Sequence, residues 1–156
     1  MVCQHIPIKR VAELIRDAYA IPVSTGTIVA MVQQGAGMLE EFLASLRDTL
    51  AGADVVHADE TGLRVEASLH WVHSASTTLL TLYHLDKRGG TVAIDAMGVL
   101  AGLCGVVVHD GWSPYRKYTN VTHALCNAHH LRQLDAAGET EGQQWALEMI
   151  VFLAGT

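Results

Sequence analysis

The most constraining feature of this sequence is a change in hydrophobic period at residue 54. Before it, apolar side chains at positions 11, 14, 15, 18 and 19 recur at intervals of three and four residues, which predicts a helix with one apolar face. After it, short segments rich in valine, threonine, tryptophan and tyrosine are separated by turn residues, which is typical of strands. The predicted strands cover residues 55–59, 69–76, 78–85, 106–110 and 122–126.

The order of the predicted elements indicates a mixed α/β sheet. The first three strands follow one another with short connections, which predicts an antiparallel meander. Helices are predicted at residues 91–100, 112–118, from 127 onward and at 141–153. This order predicts a ribonuclease H-like fold, a mixed five-stranded sheet with flanking helices in which the first and fourth strands are neighbours. The expected domains are a helical region at 1–53 and a ribonuclease H-like core at 54–156.

The N-terminal region has the outline of a helix-turn-helix over residues 9–34. Pro22 interrupts the helical pattern because it lacks a backbone N–H, and Ser24 is a preferred N-cap for a second helix. In a helix-turn-helix this second helix enters the major groove of DNA. A plain helical hairpin fits the same pattern, since residues 24–34 include serine, threonine and glutamine but no arginine or lysine.

Charge and cysteine content narrow the class of protein. The 156 residues have a formal net charge of −6, which argues against binding nucleic acid through bulk positive charge but leaves room for a local basic face. Three scattered cysteines are too few for a disulfide framework and indicate a reducing cytoplasm. Charges interrupt each apolar run before it reaches membrane-spanning length, so no membrane partner is expected.

Two of the predicted strands run into acidic residues. VVHADE places Asp59 and Glu60 in the first strand, and VVVHD places Asp110 at the end of the fourth. Because these strands are expected neighbours, Asp59 and Asp110 are predicted to lie close together, where their charges repel unless a cation separates them. Mg²⁺ prefers oxygen ligands, and two such ions about 4 Å apart stabilise the attacking and leaving oxygens of phosphoryl transfer. An aspartate after a strand is also a common turn residue.

Other polar residues near these acids are candidates for supporting roles. His57 shares a strand face with Asp59 and would orient it, whereas Glu60 points to the opposite face. His109 directly precedes Asp110. Basic residues near the predicted loops are candidates for contacts with DNA phosphates, although for each of them taken separately a solvated surface is the more common explanation. They are Arg64, Lys87, Arg88, Arg116, Lys117 and Arg132.

The segment HALCNAHH at residues 123–130 contains a Cys126-x2-His129 pair flanked by two further histidines, which is an alternative zinc site. A structural zinc ion takes four ligands, usually as two closely spaced pairs. Cys3 and Cys104 supply no second pair of this kind. The pattern therefore favours a buried Cys126 and a His129 at the rim of the acidic site.

Four segments together form a more specific pattern: HADETGLRV, LHWVHSAST, VVHDGWSPY and HALCNAHHLRQL. In this order and at these spacings they resemble the catalytic domain of the insertion sequence 66 family of bacterial transposases, as does RVAELIRDAYAIPVSTGTI upstream. The resemblance covers about residues 6–154. It implies a DDE transposase, in which two aspartates and one glutamate bind Mg²⁺ or Mn²⁺ to cut and join DNA.

The resemblance assigns Asp59 to the first family aspartate and Asp110 to the second. It implies that the partner is DNA, both at the transposon ends and at the target. It also implies self-association in a transposition complex and a location at the nucleoid of the bacterial cytoplasm. The family glutamate lies well downstream, near an asparagine- and arginine-rich motif that this sequence does not contain, so we expect a partial chain that lacks the C-terminal part of its core. Asp135 and Glu139, after the fifth strand, are the candidates for a third acid within the chain.

Two functions follow from these patterns. The first is a DDE transposase that cleaves and transfers the strands of an insertion sequence with a divalent metal ion. The alternative is a non-catalytic remnant or fragment that acts as a DNA- or partner-binding module. The isolated chain is expected to bind Mg²⁺ or Mn²⁺ weakly, with a dissociation constant on the order of millimolar, and not to cleave DNA.

Overall fold

A computed structural model of the chain describes residues 6–155 and divides the chain into two compact units, Met1–Ala44 and Ser45–Thr156. The boundary between the units falls inside a helix, Glu40–Ala51, which we call α3. No helix in the described range 6–155 is long and apolar enough to cross a membrane.

The first unit contains two helices, α1 (Ile8–Tyr19) and α2 (Thr25–Gly37), followed by the start of α3. Ser24 caps α2 as predicted, because its Oγ accepts a hydrogen bond from the backbone N–H of Thr27 at 3.0 Å. α1 ends where Ala20 adopts a left-handed conformation, with φ of 55°. The pair of helices therefore forms with a short connection, and its proposed contact with DNA stays a prediction.

The second unit is built on a five-stranded mixed sheet, and this confirms the predicted fold class. Its strands are β1 (Val55–Val65), β2 (Ser68–Ser76), β3 (Thr81–Asp86), β4 (Val106–His109) and β5 (Thr122–Leu125). The strand order is β3-β2-β1-β4-β5. β1 pairs antiparallel with β2 and parallel with β4, which is the ribonuclease H-like arrangement expected from the sequence.

Helices complete the second unit. They are α4 (Thr91–Met97), a 3₁₀ helix (Ser113–Lys117), α5 (Asn127–Glu141) and α6 (Gln144–Ala154). α4 is shorter than predicted because Gly98 ends it with a positive φ of 78°. α5 begins at Asn127, where a helix was predicted to start, and Cys126 occupies its N-cap position.

Two strands, β1 and β3, differ from their predicted bounds by three residues or more, and each difference has a local physical reason. β3 begins at Thr81 and not at residue 78, because the Thr77 hydroxyl accepts the N–H groups of Leu79 and Leu80 and closes a turn. β1 continues to Val65 and forms a hairpin with β2 through two residues of positive φ, Glu66 at 49° and Ala67 at 64°. Two positive-φ residues make the tight turn that matches the twist of a hairpin.

The core of the second unit lies on one face of the sheet. Val56, Ala58 and Val107 are buried there. Gly105, just before β4, approaches β1 so closely that an added Cβ would lie 2.3 Å from the carbonyl oxygen of Asp54, so only glycine fits this position. Other fully buried apolar side chains come from α3, from α4 and from the turn before β4: Leu50, Ala93, Ile94, Val99, Leu100 and Leu103.

Candidate active site

The candidate site lies where β1 and β4 run side by side. In their parallel register Val55 pairs with Val106, and His57 pairs with Val108. This pairing ends at His57 and Val108, so Asp59 and Asp110 each lie two residues beyond the last pair, and Asp110 follows the end of β4. The backbone therefore brings both aspartates to the same end of the β1–β4 pair, and the closeness of their side chains stays a prediction.

Each of the two aspartates is held by one backbone N–H. Oδ1 of Asp59 accepts the N–H of Glu60 at 3.0 Å, and Oδ1 of Asp110 accepts the N–H of Trp112 at 2.8 Å. Within residues 6–155, Oδ2 of either carboxylate accepts no hydrogen bond. Asp59 is exposed and Asp110 is half-buried. Such a pair, with fixed carboxyl groups and one available oxygen each, suits the oxygen-ligand preference of Mg²⁺ or Mn²⁺.

His129 approaches the same aspartate from the first turn of α5. Its Nε2 lies 3.8 Å from Oδ1 of Asp59. Its Nδ1 is buried and has no hydrogen-bond partner in the described part of the chain. The start of α5 is tied to β4, because the N–H of Cys126 donates to the carbonyl oxygen of His109 at 2.8 Å. The strand–helix junction thus positions the His129 ring beside Asp59.

Glu60 lies on the opposite face, together with the buried Val56 and Ala58. The Tyr115 hydroxyl donates a hydrogen bond to its Oε2. The pKa of Glu60 is raised to about 7, mainly by burial and also by the charges of Asp110 and Asp59, while the Tyr115 hydrogen bond opposes the rise. Burial and the neighbouring Glu60 also raise the pKa of Tyr115, which stays protonated. Glu60 is therefore half-buried against Tyr115 but lies near enough to both aspartates to be affected by their charges.

His109 is buried and belongs to a directed chain of hydrogen bonds. Its Nδ1 accepts the N–H of Gly111 at 2.9 Å, so a neutral His109 ring carries its hydrogen on Nε2. That Nε2–H donates to Nδ1 of His123 at 3.0 Å, and Nε2–H of His123 donates to the carbonyl oxygen of Tyr118 at 3.0 Å. Burial lowers the pKa of His109, which favours this neutral form.

The His109 ring also packs against the group that holds Glu60. Its centroid lies 4.6 Å from that of the Tyr115 ring. Among the described residues, His109 makes no hydrogen bond with Asp110, although Asp110 raises its pKa slightly against the effect of burial. His57 is exposed on the same face as Asp59, two residues earlier in β1. The structure gives it no hydrogen bond to Asp59 within residues 6–155.

The predicted phosphate-binding residues are all exposed but do not form a single patch. Arg64, Lys87 and Arg88 lie near the far end of the β1–β2–β3 meander, where Arg64 Nη1 donates to the carbonyl oxygen of Ala67 at 3.5 Å. Lys117 forms an ion pair with Asp95. Arg132 lies on α5, one turn after His129. The remaining member of the predicted set, Arg116, is exposed in the 3₁₀ helix.

A zinc site at the histidine cluster is not supported by the hydrogen bonds. Both ring nitrogens of His123 are used, one by His109 and one by Tyr118. Across residues 6–155, no three histidine, cysteine, aspartate or glutamate side chains are arranged to hold a metal ion. Asp135 and Glu139 are exposed on α5 and form no such group with the two aspartates. Any ion at the candidate site therefore relies on two protein ligands and water within this range.

Sequence reasoning missed one contact of the site, the hydrogen bond between Tyr115 and Glu60. These residues lie 55 positions apart, and only the serine-proline-tyrosine turn after Trp112 indicated a packed aromatic residue there. The approach of His129 to Asp59 agrees with the interpretation of His129 as a residue at the rim of the acidic site, which was preferred to a zinc motif.

Comparison with known proteins identifies the family of this chain. The sequence matches the transposase IS66 family over residues 2–154, nearly its whole length. The chain therefore belongs to the IS66 family of transposases. A comparison with curated protein sequences finds no match.

Among solved structures, the chain is similar to one in the cryoEM structure of the simian T-cell lymphotropic virus intasome in complex with PP2A regulatory subunit B56 gamma. The two chains are 10% identical, with a TM-score of 0.39 over 66% of the present chain. The present chain spans 48% of the length of that chain.

Proposed function

We propose that the second unit is the metal-binding core of a DDE-type transposase, in which Asp59 and Asp110 hold Mg²⁺ or Mn²⁺ for cleavage and transfer of DNA strands. The observation that carries the proposal is the parallel pairing of β1 and β4, whose last pair, His57 and Val108, lies two residues before Asp59 and Asp110. The family membership of residues 2–154 supports it independently.

Asp59, Asp110 and Glu60 have different roles at the proposed metal site. A bound divalent ion supplies positive charge for the oxygens of the reacting phosphate. The N–H groups of Glu60 and Trp112 hold the carboxyl groups of Asp59 and Asp110 in place, so that Oδ2 of each is directed to a ligand. Glu60, with a pKa of about 7 on the other face, is about half protonated at pH 7, and this limits the repulsion between neighbouring acids.

DNA is the proposed partner. The net charge of −6 means that attraction to DNA has to be local, through basic residues near the site and not through the whole surface. Arg132 is the best placed of the predicted basic residues, because it lies one helical turn from His129. Transposon ends, target DNA and a second transposase copy are the partners that this function requires.

The first test is divalent-ion binding by the chain itself. Wild type is expected to bind Mn²⁺ with a dissociation constant on the order of millimolar, whereas Asp59→Asn or Asp110→Asn is expected to bring binding below detection. Asp135→Asn is the matched control, since it removes an exposed acid from α5 that is not grouped with the aspartates. Electron paramagnetic resonance of free and bound Mn²⁺ measures this directly. Binding unchanged in both aspartate variants contradicts the proposal.

The second test is DNA cleavage by a chain extended with the glutamate-bearing C-terminal part of an IS66 family transposase. Mn²⁺-dependent nicking of transposon-end DNA is expected, and it is expected to be lost in Asp59→Asn and Asp110→Asn. DNA binding without metal binding or nicking would instead favour the second candidate, a non-catalytic DNA- or partner-binding module. That candidate is favoured by the absence, within residues 6–155, of a third acid grouped with the two aspartates.

A further inference from the structure

We propose that Trp112 is a positioning residue of the candidate site: its stacked side chain fixes the turn that holds the carboxylate of Asp110. The inference rests on the proposed metal site and concerns how one of its two ligands is kept in place. Trp112 itself has no contact with the ion in this proposal. It acts through Asp110, two residues earlier in the chain.

The two aspartates differ in how their backbone is fixed. Asp59 lies inside β1, where it pairs with Ser74 of β2. Asp110 follows β4, which ends at His109, and belongs to neither a strand nor a helix. The next residue, Gly111, has a positive φ of 94°, and glycine moves between such conformations at little cost. The backbone around Asp110 therefore has to be fixed by something other than strand pairing.

The backbone of Trp112 closes the turn that contains Asp110. Its N–H donates to Oδ1 of Asp110 at 2.8 Å, which is a local side-chain turn of the kind that aspartate forms readily. Its carbonyl oxygen accepts the N–H of Tyr115 at 3.2 Å, at the start of the 3₁₀ helix. The direction of the Asp110 carboxylate therefore depends on whether residue 112 keeps its place.

The ring of Trp112 keeps it in place through three aromatic neighbours. Its centroid lies 6.0 Å from that of Trp71 and 6.5 Å from that of His73, with interplanar angles of 18° and 25°. Tyr115 packs against it edge-on at 6.2 Å. Aromatic rings attract each other in both arrangements at centroid distances of about 4.5–7 Å. The turn after β4 is thereby attached to rings from another strand.

The strand that carries two of these rings is itself well fixed. Trp71 and His73 belong to β2, which is paired with β1 on one side and β3 on the other. His73 is fully buried. The backbone of Gly89 lies against the indole of Trp71, because an added Cβ there would be 3.1 Å from its Cδ2 and Cε2 atoms. The stack therefore connects Asp110 to a rigid part of the sheet.

The deciding experiment measures the affinity of the 156-residue chain for Mn²⁺ by electron paramagnetic resonance. Trp112→Ala keeps the N–H that bonds to Asp110 and removes only the ring, so the affinity is expected to fall by about tenfold. Trp112→Phe keeps a ring in the stack and is expected to restore the affinity to within about threefold of wild type. Trp145→Ala, which removes an exposed tryptophan from α6, is the matched control and is expected to leave the affinity unchanged.

A second pair of variants separates positioning from stability. Trp71→Ala leaves residues 110–112 intact and removes the main stacking partner of Trp112, so a loss of affinity of about threefold or more is expected. Val99→Ala truncates a fully buried side chain outside the stack and lowers the stability of the fold, but the folded chain is expected to keep its affinity for Mn²⁺. Circular dichroism shows which variants are folded. If Trp112→Ala is unfolded, Trp71→Ala decides.

The outcomes distinguish this inference from the proposed function. Mn²⁺ binding that is lost in Asp110→Asn but unchanged in Trp112→Ala and Trp71→Ala overturns the role of Trp112 and leaves the two-aspartate site in place. An equal loss in folded Val99→Ala, or Trp112→Phe as weak as Trp112→Ala, overturns it as well. Binding that is unchanged by Asp110→Asn, or no binding by wild type, overturns both.

Discussion

The two faces of the sheet at the β1–β4 pair differ in what surrounds their acids. On one face, Asp59 is exposed and lies beside His129, and its carboxylate makes one hydrogen bond, to the next backbone N–H. On the other face, Glu60 is covered by Tyr115, and burial raises its pKa to about 7. Consecutive residues of one strand therefore have opposite environments, one solvated and the other covered.

This difference shows why an acidic dipeptide in a strand is not two equivalent ligands. The carboxylate on the open face can bind a hydrated ion, because little desolvation is required. The carboxyl group on the covered face already accepts a hydrogen bond from the Tyr115 hydroxyl, and the Tyr115 ring packs against the ring of His109. The open face is thus suited to binding, and the covered face contributes to stability and to the charge balance of the site.

The largest expected effect tests this division through stability. Tyr115→Ala removes a fully buried aromatic ring and is expected to lower the free energy of unfolding by about 3–5 kcal/mol. Asp59→Ala changes an exposed side chain and is expected to alter it by no more than about 0.5 kcal/mol. Urea denaturation followed by circular dichroism measures both. A comparable loss in the two variants would break the distinction between the faces.

Much of the fold could be predicted from the sequence because it depends on local patterns and element order. The alternation of apolar residues identified the strands, and the succession of three strands and then crossovers placed the first beside the fourth. The predicted start of β3 was wrong because the position where the strand begins depends on one hydroxyl group. The Thr77 hydroxyl accepts hydrogen bonds from two backbone N–H groups and closes a turn there. Hydrophobic pattern carries no information about such a bond.

The candidate site was predictable only in part. Asp59 and Asp110 stood out because each follows a run of valines, and the parallel pairing of β1 and β4 ends two residues before them. The environment of Glu60 was not predictable, since it depends on Tyr115 returning from a 3₁₀ helix 55 residues later. The link between His109 and His123 likewise depends on ring orientations that sequence spacing does not specify.

The second prediction concerns the hydrogen-bond chain on the covered face. His123→Ala leaves the buried Nε2–H of His109 without its acceptor and is expected to cost about 1–3 kcal/mol in unfolding free energy. His123→Asn is the control, because its side-chain oxygen can take the place of the lost ring nitrogen. If thermal unfolding shows the two variants to be equally destabilised, the bond to His109 is not the cause.

The third prediction separates the ring of Tyr115 from its hydroxyl group. Tyr115→Phe keeps the buried ring and removes the donor to Glu60, so the expected cost is about 1 kcal/mol, well below that of Tyr115→Ala. The pKa of Glu60 is expected to rise further, because the lost bond opposes the effect of burial. Carboxyl titration by ¹³C NMR measures the pKa, and a fall in Tyr115→Phe would contradict the assignment of the bond.

The smallest expected effect is the pH dependence that Glu60 gives to stability. Its pKa rises from 4.5 in the unfolded chain to about 7 in the folded one, so between these values the folded chain binds the extra proton. Stability from this group is therefore fully present below pH 4.5 and is lost as the pH rises through about 7. His109 has the opposite dependence, since its lowered pKa removes stability as the pH falls below 6.5.

The contributions of Glu60 and His109 to the pH dependence of stability oppose each other, so the stability of wild type alone does not reveal either of them. The unfolding free energy of wild type is therefore compared with that of Glu60→Gln. The variant lacks the titrating carboxyl but keeps His109, so the stability of wild type relative to Glu60→Gln is expected to fall by on the order of 1 kcal/mol between pH 5 and pH 7.5, after allowance for solvent screening. Urea denaturation of both proteins across this pH range measures the difference. A difference that stays constant with pH would show that folding does not raise the pKa of Glu60, and the covered face would then not hold a carboxyl group of altered charge.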